Sequence, residues 1–340
     1  MDKLNLTVVA RNAALFRLPF YNSLAEKGAQ IFIVCTKDHS AIKDLLNPNI
    51  NLVSARHVLG LCFPSKPVVS HQGNKVVVAF NIELMPWVAY KFGLKNVFLW
   101  GIGYGNNRVG NIVRSLIISK SRGLISYMPS GLRLAGERRE QSSFLVNSVF
   151  VKNPPVESMV DPLSKKLIFI GSLDKRKKVD LLLRAVSILR EMGEDYTLEI
   201  VGDGEQRNSL EALAQALELK EVVTFHGSVG LHELKMKIFR GALLCIQPGQ
   251  AGLSVLESFS FGVPVLTYRH AVSGGEIDNI KDGVTGFFYE KLCPIELALT
   301  IMGLSQKPHE ISRVADNALR YFKLFANGDR MVERFIESVK

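Results

Sequence analysis

A single carboxylate, Glu257, stands in the stretch PGQAGLSVLESFSFGVPVLT, between small residues that read as a loop and an apolar run that reads as a buried strand. Gly249, Ala251 and Gly252 would let an anion approach the chain. A helix starting at Leu253 and Ser254 would offer it backbone N–H groups and a partial positive charge. A tight strand-to-helix turn explains the same residues. Helical side chains lean toward the N-terminus, so Glu257, about one turn in, would aim at whatever binds there, and a carboxylate can accept hydrogen bonds from the two hydroxyls of a ribose. A Glu on a solvated face is the plainer account.

A second stretch, GSLDKRKKVDLLLRA, places Lys175, Arg176, Lys177 and Lys178 in one run between a strand and a helix. Cations there could stabilise a departing diphosphate, where charge develops in the transition state, or could form an ordinary solvated loop. A third stretch, SGGEIDNIKDGVTGFFY, sets Gly274 and Gly275 beside Glu276 and Asp278 and ends in a turn at KDGVTG. The run GIGYGNNRVG has Asn106 in the third glycine position, so it is no dinucleotide-binding fingerprint.

All three stretches need a scaffold that brings them to one end of a sheet. Short apolar runs alternate with helical patterns along the whole chain, which predicts parallel sheets in an α/β architecture. In the first half the strands are LNLTVVA, AQIFIVC, KVVVAF, NVFLWG and GLISYM, with helices at LPFYNSLAEKG and VGNIVRSLIISKSRG. Residues 151–164, rich in proline, interrupt the rhythm and read as a connection. The alternation restarts with KLIFIGSL, YTLEIVGDG, VVTFHGS, LLCIQPG and VPVLTY. This predicts a Rossmann-like domain over 1–150, a second over 165–322, and a C-terminal helix over 323–340 packing back on the first. The two domains would face each other across a central cleft at the strand carboxyl ends.

Composition sets the bounds. The 340 residues are 47% hydrophobic, enough for large cores, and carry a formal net charge of +10, which favours anionic partners without choosing among them. Cys35, Cys62, Cys245 and Cys293 have no spacing that suits a disulfide framework or a zinc site. No segment has the apolar length of a signal peptide core or a membrane span, which leads to the expectation of a cytoplasmic protein. Arg108, Arg114, Lys120, Arg122, Arg133, Arg138 and Arg139 face only Glu137 across their span, and they interleave with Ile112, Val113, Leu116, Ile117 and Ile118. That pattern fits either a core helix with a basic outer face or adsorption to anionic lipid at the cytoplasmic face of an inner membrane.

Taken in order, FIGSLDKRKKVDLLLRA, LEIVGDGEQRNSLEALAQALEL, VVTFHGSV, QPGQAGLSVLESFSFGVPVLT and GGEIDNIKDGVTGFF resemble the donor-binding domain of the retaining glycosyltransferases of family four, which have the GT-B fold. The first half is more loosely similar to the acceptor domain of bacterial surface-polysaccharide members. The resemblance implies that Glu257 contacts the nucleotide ribose and that Lys177 neutralises the donor diphosphate. Backbone amides of Gly252, Leu253 and Ser254 would hold the diphosphate and sugar, with the loop of Gly274, Gly275, Glu276 and Asp278 alongside.

Several positions depart from that pattern. Ser172 stands where an arginine usually accompanies the lysine, and Arg176 is the nearest cation to replace it. Gly249 stands where a second Glu usually touches the donor sugar. On the acceptor side, Ile102 follows Trp100 and Gly101 where relatives often carry a histidine, Tyr104 lies just beyond, and Arg17 looks like the arginine of relatives without the usual glycine pair. His226 reads as a strand residue. The resemblance implies no metal and no cofactor, with a UDP- or GDP-sugar as co-substrate. It further implies a glycan or polyprenyl-diphosphate acceptor of the O-antigen, lipopolysaccharide or capsule kind. A catalytically degenerate scaffold of the same fold is the competing reading, and nucleic-acid binding rests on charge alone.

Overall fold

The computed structural model describes residues 6–10, 17–35, 40–69, 74–102, 108–136 and 141–340. Tyr104, Glu137, Arg138 and Arg139 lie outside the described residues. The chain divides into two compact units, one formed by 1–150 with 328–340 and the other by 151–327.

In the first unit, strands β1 (Leu6–Ala10), β2 (Gln30–Cys35), β3 (Ile50–Val58), β4 (Leu61–Pro64), β5 (Lys75–Ala79), β6 (Val97–Gly101), β7 (Gly123–Ser126) and β8 (Ser143–Phe144) form one sheet in the order β4-β3-β2-β1-β5-β6-β7-β8. Every pairing is parallel except β3 with β4, an antiparallel hairpin at the edge that the alternation of strands and helices did not announce. All five residues of β1 are buried, as expected of a strand covered on both faces. Helices α1 (Leu18–Glu26), α2 (Met85–Phe92) and α3 (Arg108–Lys120) lie between strands.

In the second unit, β9 (Lys166–Ile170), β10 (Thr197–Val201), β11 (Val223–Gly227), β12 (Leu244–Gln247), β13 (Val265–Tyr268) and β14 (Gly286–Tyr289) form an all-parallel sheet in the order β11-β10-β9-β12-β13-β14. Its helices are α4 (Val179–Glu191), α5 (Arg207–Ala216), α6 (His232–Phe239), α7 (Ser254–Ser260), α8 (Pro294–Ser305) and α9 (Pro308–Tyr321). In α4, Val179, Leu182, Leu183, Val186 and Leu189 recur at helical spacing, and all are buried against the sheet.

The last helix, α10 (Gly328–Glu337), belongs to the first unit. Its Met331, Val332 and Phe335 join Phe20 and Trp100 in one core, where the Phe335 ring meets those of Phe20 and Trp100 edge-on at 5.2 Å. The carboxyl ends of β9 and β10 approach so closely that a Cβ on Gly202 would lie 1.8 Å from the Gly171 carbonyl oxygen. Only glycine fits there, and the approach fixes where the basic loop leaves β9.

Candidate functional site

Three loops at carboxyl ends of the second sheet carry the residues that the sequence singled out: the loop after β9, the loop after β12, and the loop after β13. In the first, Asp174 organises the basic run. Its Oδ1 accepts a hydrogen bond from the Arg176 backbone N–H at 3.0 Å and so caps a 3₁₀ turn over Lys175–Lys177. Ser172 Oγ donates to Asp174 Oδ2 at 2.8 Å, and Arg176 grips the same carboxylate through Nε and Nη2 at 3.1 and 3.0 Å. The Arg176 hydrogen bond pulls the Asp174 carboxyl down to about 2, so it stays ionised. Arg176 is therefore spoken for by Asp174. Its side chain nevertheless remains 68% exposed at the loop surface.

Lys177 is the cation that the loop turns inward. It is 8% exposed and its Nζ donates to the Gln250 carbonyl at 3.2 Å, which uses one of its three N–H donors. Burial pulls its pKa down, while the nearby Asp174 and Glu276 carboxylates oppose that shift. A Cβ on Gly252 would stand 3.7 Å from the same Nζ, so the ammonium lies against the chain that leads into α7.

Gly249 turns out to be a packing position. A Cβ there would lie 2.2 Å from the Arg176 carbonyl oxygen and 2.7 Å from Lys178 Cγ. The loop after β12 thus runs directly against the basic loop, and a side chain of any kind at 249 would force the two apart. Lys178, which begins α4, sits at φ 55 and ψ 39, a left-handed conformation unusual for lysine. The absent acid at 249 is coupled to this close approach.

The loop after β12 is tied on its other side to the loop after β13. The Ala251 N–H donates to the Val272 carbonyl at 3.0 Å, and the buried Tyr289 hydroxyl donates to the Pro248 carbonyl at 2.8 Å. Ser273 Oγ accepts from the N–H groups of Gly275 and Ile277 at 3.1 Å each and donates to Glu276 Oε2 at 3.3 Å. Gly275 takes φ 115, which only glycine adopts readily, and turns Glu276 inward to 6% exposure. Asp278 is half-buried in the following 3₁₀ turn.

Helix α7 spans only seven residues, so its dipole is short and the positive charge of the site rests mainly on Lys177. The amides of Gly252, Leu253 and Ser254 precede the first bond within the helix, from Val255 N to Gly252 O at 3.0 Å. Ser254 Oγ is buried with no hydrogen-bond partner, an orphan donor beside these amides. Glu257, in the first turn, is paired with Lys235 from α6, and both side chains are largely buried. Sequence reading did not find Lys235; HELKMK reads as an ordinary amphipathic helix, and only the fold carries it to Glu257.

In the first unit, Arg17 is buried among rings. Its guanidinium lies 4.9 Å from the Tyr127 ring centre and 5.5 Å from that of Trp100, and Nη1 donates to Met331 Sδ at 3.8 Å. Arg17 is thus part of the core that holds α10. Gly101 closes β6, and Ile102 after it is 37% exposed. His226 is on β11, paired with Glu199 across the β10–β11 ladder.

Residues 157–320 match the family model of glycosyl transferases group 1, the segment that holds all three loops. An uncharacterized glycosyltransferase of Haemophilus influenzae is 23% identical over 271 residues, which cover 78% of this chain and 70% of that protein. The alpha-D-kanosaminyltransferase of Streptomyces kanamyceticus is 26% identical over 213 residues, and the match spans 58% of this chain but about half, 54%, of that relative. Among solved structures, Anabaena HepE in complex with UDP and glucose superposes with a TM-score of 0.71 at 14% identity, covering 98% of each chain. The likeness extends over both units, whose sheets have the GT-B fold, and residues 157–320 are similar to the group 1 glycosyl transferases whose family model they match.

Proposed function

We propose that this protein is a retaining glycosyltransferase that moves a sugar from a nucleotide diphosphate to a glycan or polyprenyl-diphosphate-linked acceptor in the building of a bacterial surface polysaccharide, of the O-antigen, lipopolysaccharide or capsule kind. The observation that carries the reading is the buried Lys177 ammonium, held against Gln250 and Gly252 beside an orphan Ser254 hydroxyl. A buried cation and an unmatched donor on adjoining loops are costly unless an anion completes them. A diphosphate is an anion of the right chemistry, and UDP with glucose is what HepE was crystallised with.

In this reading Lys177, Ser254 and the amides of Gly252 and Leu253 take the charge that develops on the diphosphate as the glycosidic bond breaks. Such preorganised donors contribute most where charge appears only in the transition state. Glu257 accepts hydrogen bonds from the ribose hydroxyls through the carboxylate oxygen that Lys235 leaves, and Lys235 holds that carboxylate in place. Glu276 and Asp278, turned in by Gly275, line the donor-sugar side. With Gly249 unable to carry an acid, the sugar is held by the loop after β13, which favours a donor other than one selected by the usual Glu. The first unit is the acceptor domain, with Gly101 and Ile102 at its strand end, and a lipid-linked acceptor would place the enzyme at a cytoplasmic membrane face.

A panel of UDP-, GDP- and dTDP-sugars, with products read by mass and anomeric configuration, tests the proposal. The expected outcome is transfer with retention from one class of donor, and the absence of binding and turnover across the panel would refute it. The occupied Arg176 and the excluded side chain at 249 favour a second reading, a nucleotide-sugar-binding partner without catalysis. Tight nucleotide binding with no product from any donor and acceptor pair would select it.

A further inference from the structure

The second sheet opens where its strand order reverses. β9 and β12 are neighbours, but their ladder runs only through Leu167 with Leu244 and Ile168 with Cys245. On its other side β9 stays paired with β10 up to Ile170, and β12 stays paired with β13 up to Gln247. The two strands therefore part over their last two residues, and the loops that carry Lys177 and Gly252 leave from the two sides of this gap. An open parallel sheet takes its ligand at such a switch point, so the width of the gap sets the distance between those loops.

One side chain crosses the gap. Gln247, fully buried at the end of β12, donates from Nε2 to the Ile170 carbonyl at the end of β9 at 2.9 Å, and the same Nε2 lies 3.7 Å from Cys245 Sγ. The Ile170 carbonyl only accepts, which fixes which end of the amide is nitrogen. The Gln247 carbonyl accepts from Thr267 Oγ1 on β13 at 2.7 Å, so this residue joins the ends of the three strands that lead into the three loops. Its Oε1 is buried with no partner, a penalty that an apolar side chain of similar volume would avoid.

Lys177 depends on the same gap. A Cβ on Gly171, the residue after Ile170, would lie 3.6 Å from Lys177 Cε, and the Lys177 ammonium crosses to the carbonyl of Gln250, in the loop that follows Gln247. We infer that Gln247 is a positioning residue of the donor site: by holding the ends of β9 and β12 at one distance, its amide places the Lys177 ammonium against the chain that opens α7. The effect on turnover rests on the transferase reading, whereas the spacing is a property of the sheet. A misplacement of about 1 Å in a reacting site can lower a rate by about 100-fold.

The test uses Gln247→Met, which keeps the approximate volume but removes the amide, and Gln247→Glu, whose buried carboxyl can donate to Ile170 only when protonated. Backbone hydrogen–deuterium exchange of the full chain should be faster in Gln247→Met at residues 171–178 and 249–254 and unchanged elsewhere in the second unit. A retained cooperative thermal transition shows that both variants are folded. On the identified donor, kcat of Gln247→Met should fall about tenfold or more while KM stays within about twofold, since the misplaced cation acts on charge that develops in the transition state. The kcat of Gln247→Glu relative to wild type should rise as pH falls, because the protonated carboxyl restores the bond to Ile170. Wild-type exchange in the two loops, wild-type kcat in Gln247→Met, or a Gln247→Glu deficit that pH leaves unchanged overturns the inference. Faster exchange spread evenly over the whole unit assigns Gln247 to general stability and also overturns it. A wild type that turns over no donor refutes the transferase reading, and the exchange comparison then still decides the spacing role.

Discussion

Lys177 and Glu276 at the strand ends of the second sheet are 8% and 6% exposed, whereas Val109 and Ile112 on α3 of the first unit are 73% and 61% exposed. Each region reverses the ordinary rule of burial, one by taking charge inside and the other by leaving apolar groups outside. Both reversals are unfavourable for the chain alone, since charges lose hydration and apolar surface keeps its contact with water. At the strand ends the buried Lys177 ammonium and the partnerless Ser254 hydroxyl lie on adjoining loops, which suits a compact anion. On α3 the apolar stripe faces outward along one helix. The direction in which a sequence feature points, inward or outward, is set by the fold around it.

The largest effect expected from breaking this contrast is at Lys177. Lys177→Ala removes the buried cation and should lower kcat by about 100-fold, in line with loss of one preorganised donor, with little change in fold. Steady-state kinetics on the identified donor checks it, and wild-type turnover would sink the assignment. Glu257→Gln comes next, with nucleotide affinity falling by about tenfold or more from loss of a charged hydrogen bond. The proposed role of Glu257 at the ribose predicts that the uridine or guanosine nucleoside loses affinity in this variant but keeps it in Lys177→Ala, as titration calorimetry can read.

Gly249→Ala drives a methyl group against the Arg176 carbonyl and should destabilise the protein by about 1–3 kcal/mol while displacing Lys177. Denaturant unfolding measures the first effect and kcat the second; a neutral variant would show that the loops are free to separate. The two thirteen-residue helices offer a matched pair. Leu182→Ala in α4 should cost about 2–5 kcal/mol because it leaves a cavity, whereas Leu116→Ala in α3 should stay within about 0.5 kcal/mol. Equal losses would mean that the α3 stripe is covered.

A small effect is expected at acid pH. The Asp174 carboxyl is lowered from 3.8 to about 2, so its stabilisation of the basic loop is complete above 3.8 and is lost as pH falls through about 2. Asp174→Asn should flatten the acid limb of stability by about 1 kcal/mol or less, because Arg176 is well exposed and screened by solvent.

The alternation of apolar runs and helices was enough to read five strands of each sheet, since parallel strands buried on two faces show up as continuous apolar runs. The β3–β4 hairpin was not legible: Arg56 and His57 interrupt its apolar pattern, and its antiparallel turn lies outside the strand-helix rhythm. The site was legible where a residue acts from its own loop, as Lys177 does. It was illegible where the fold brings distant residues together: Lys235 reaches Glu257 from 22 positions away, and the basic loop reaches Gly249 from 73 positions and closer in space than any side chain permits. The surroundings of Arg17 were illegible for the same reason, because its neighbours in sequence say nothing of Trp100, Tyr127 and Met331, which enclose it. For α3 the periodicity revealed a stripe, but a stripe alone does not say which side meets the sheet.

The most direct test of the donor site is calorimetric titration of UDP and GDP into wild-type protein and Lys177→Ala. The buried ammonium predicts that one of the two nucleotides binds the wild type and that its Kd rises by about tenfold or more in the variant. Equal affinities for the variant and the wild type would contradict the assignment of Lys177 as the group that receives the diphosphate.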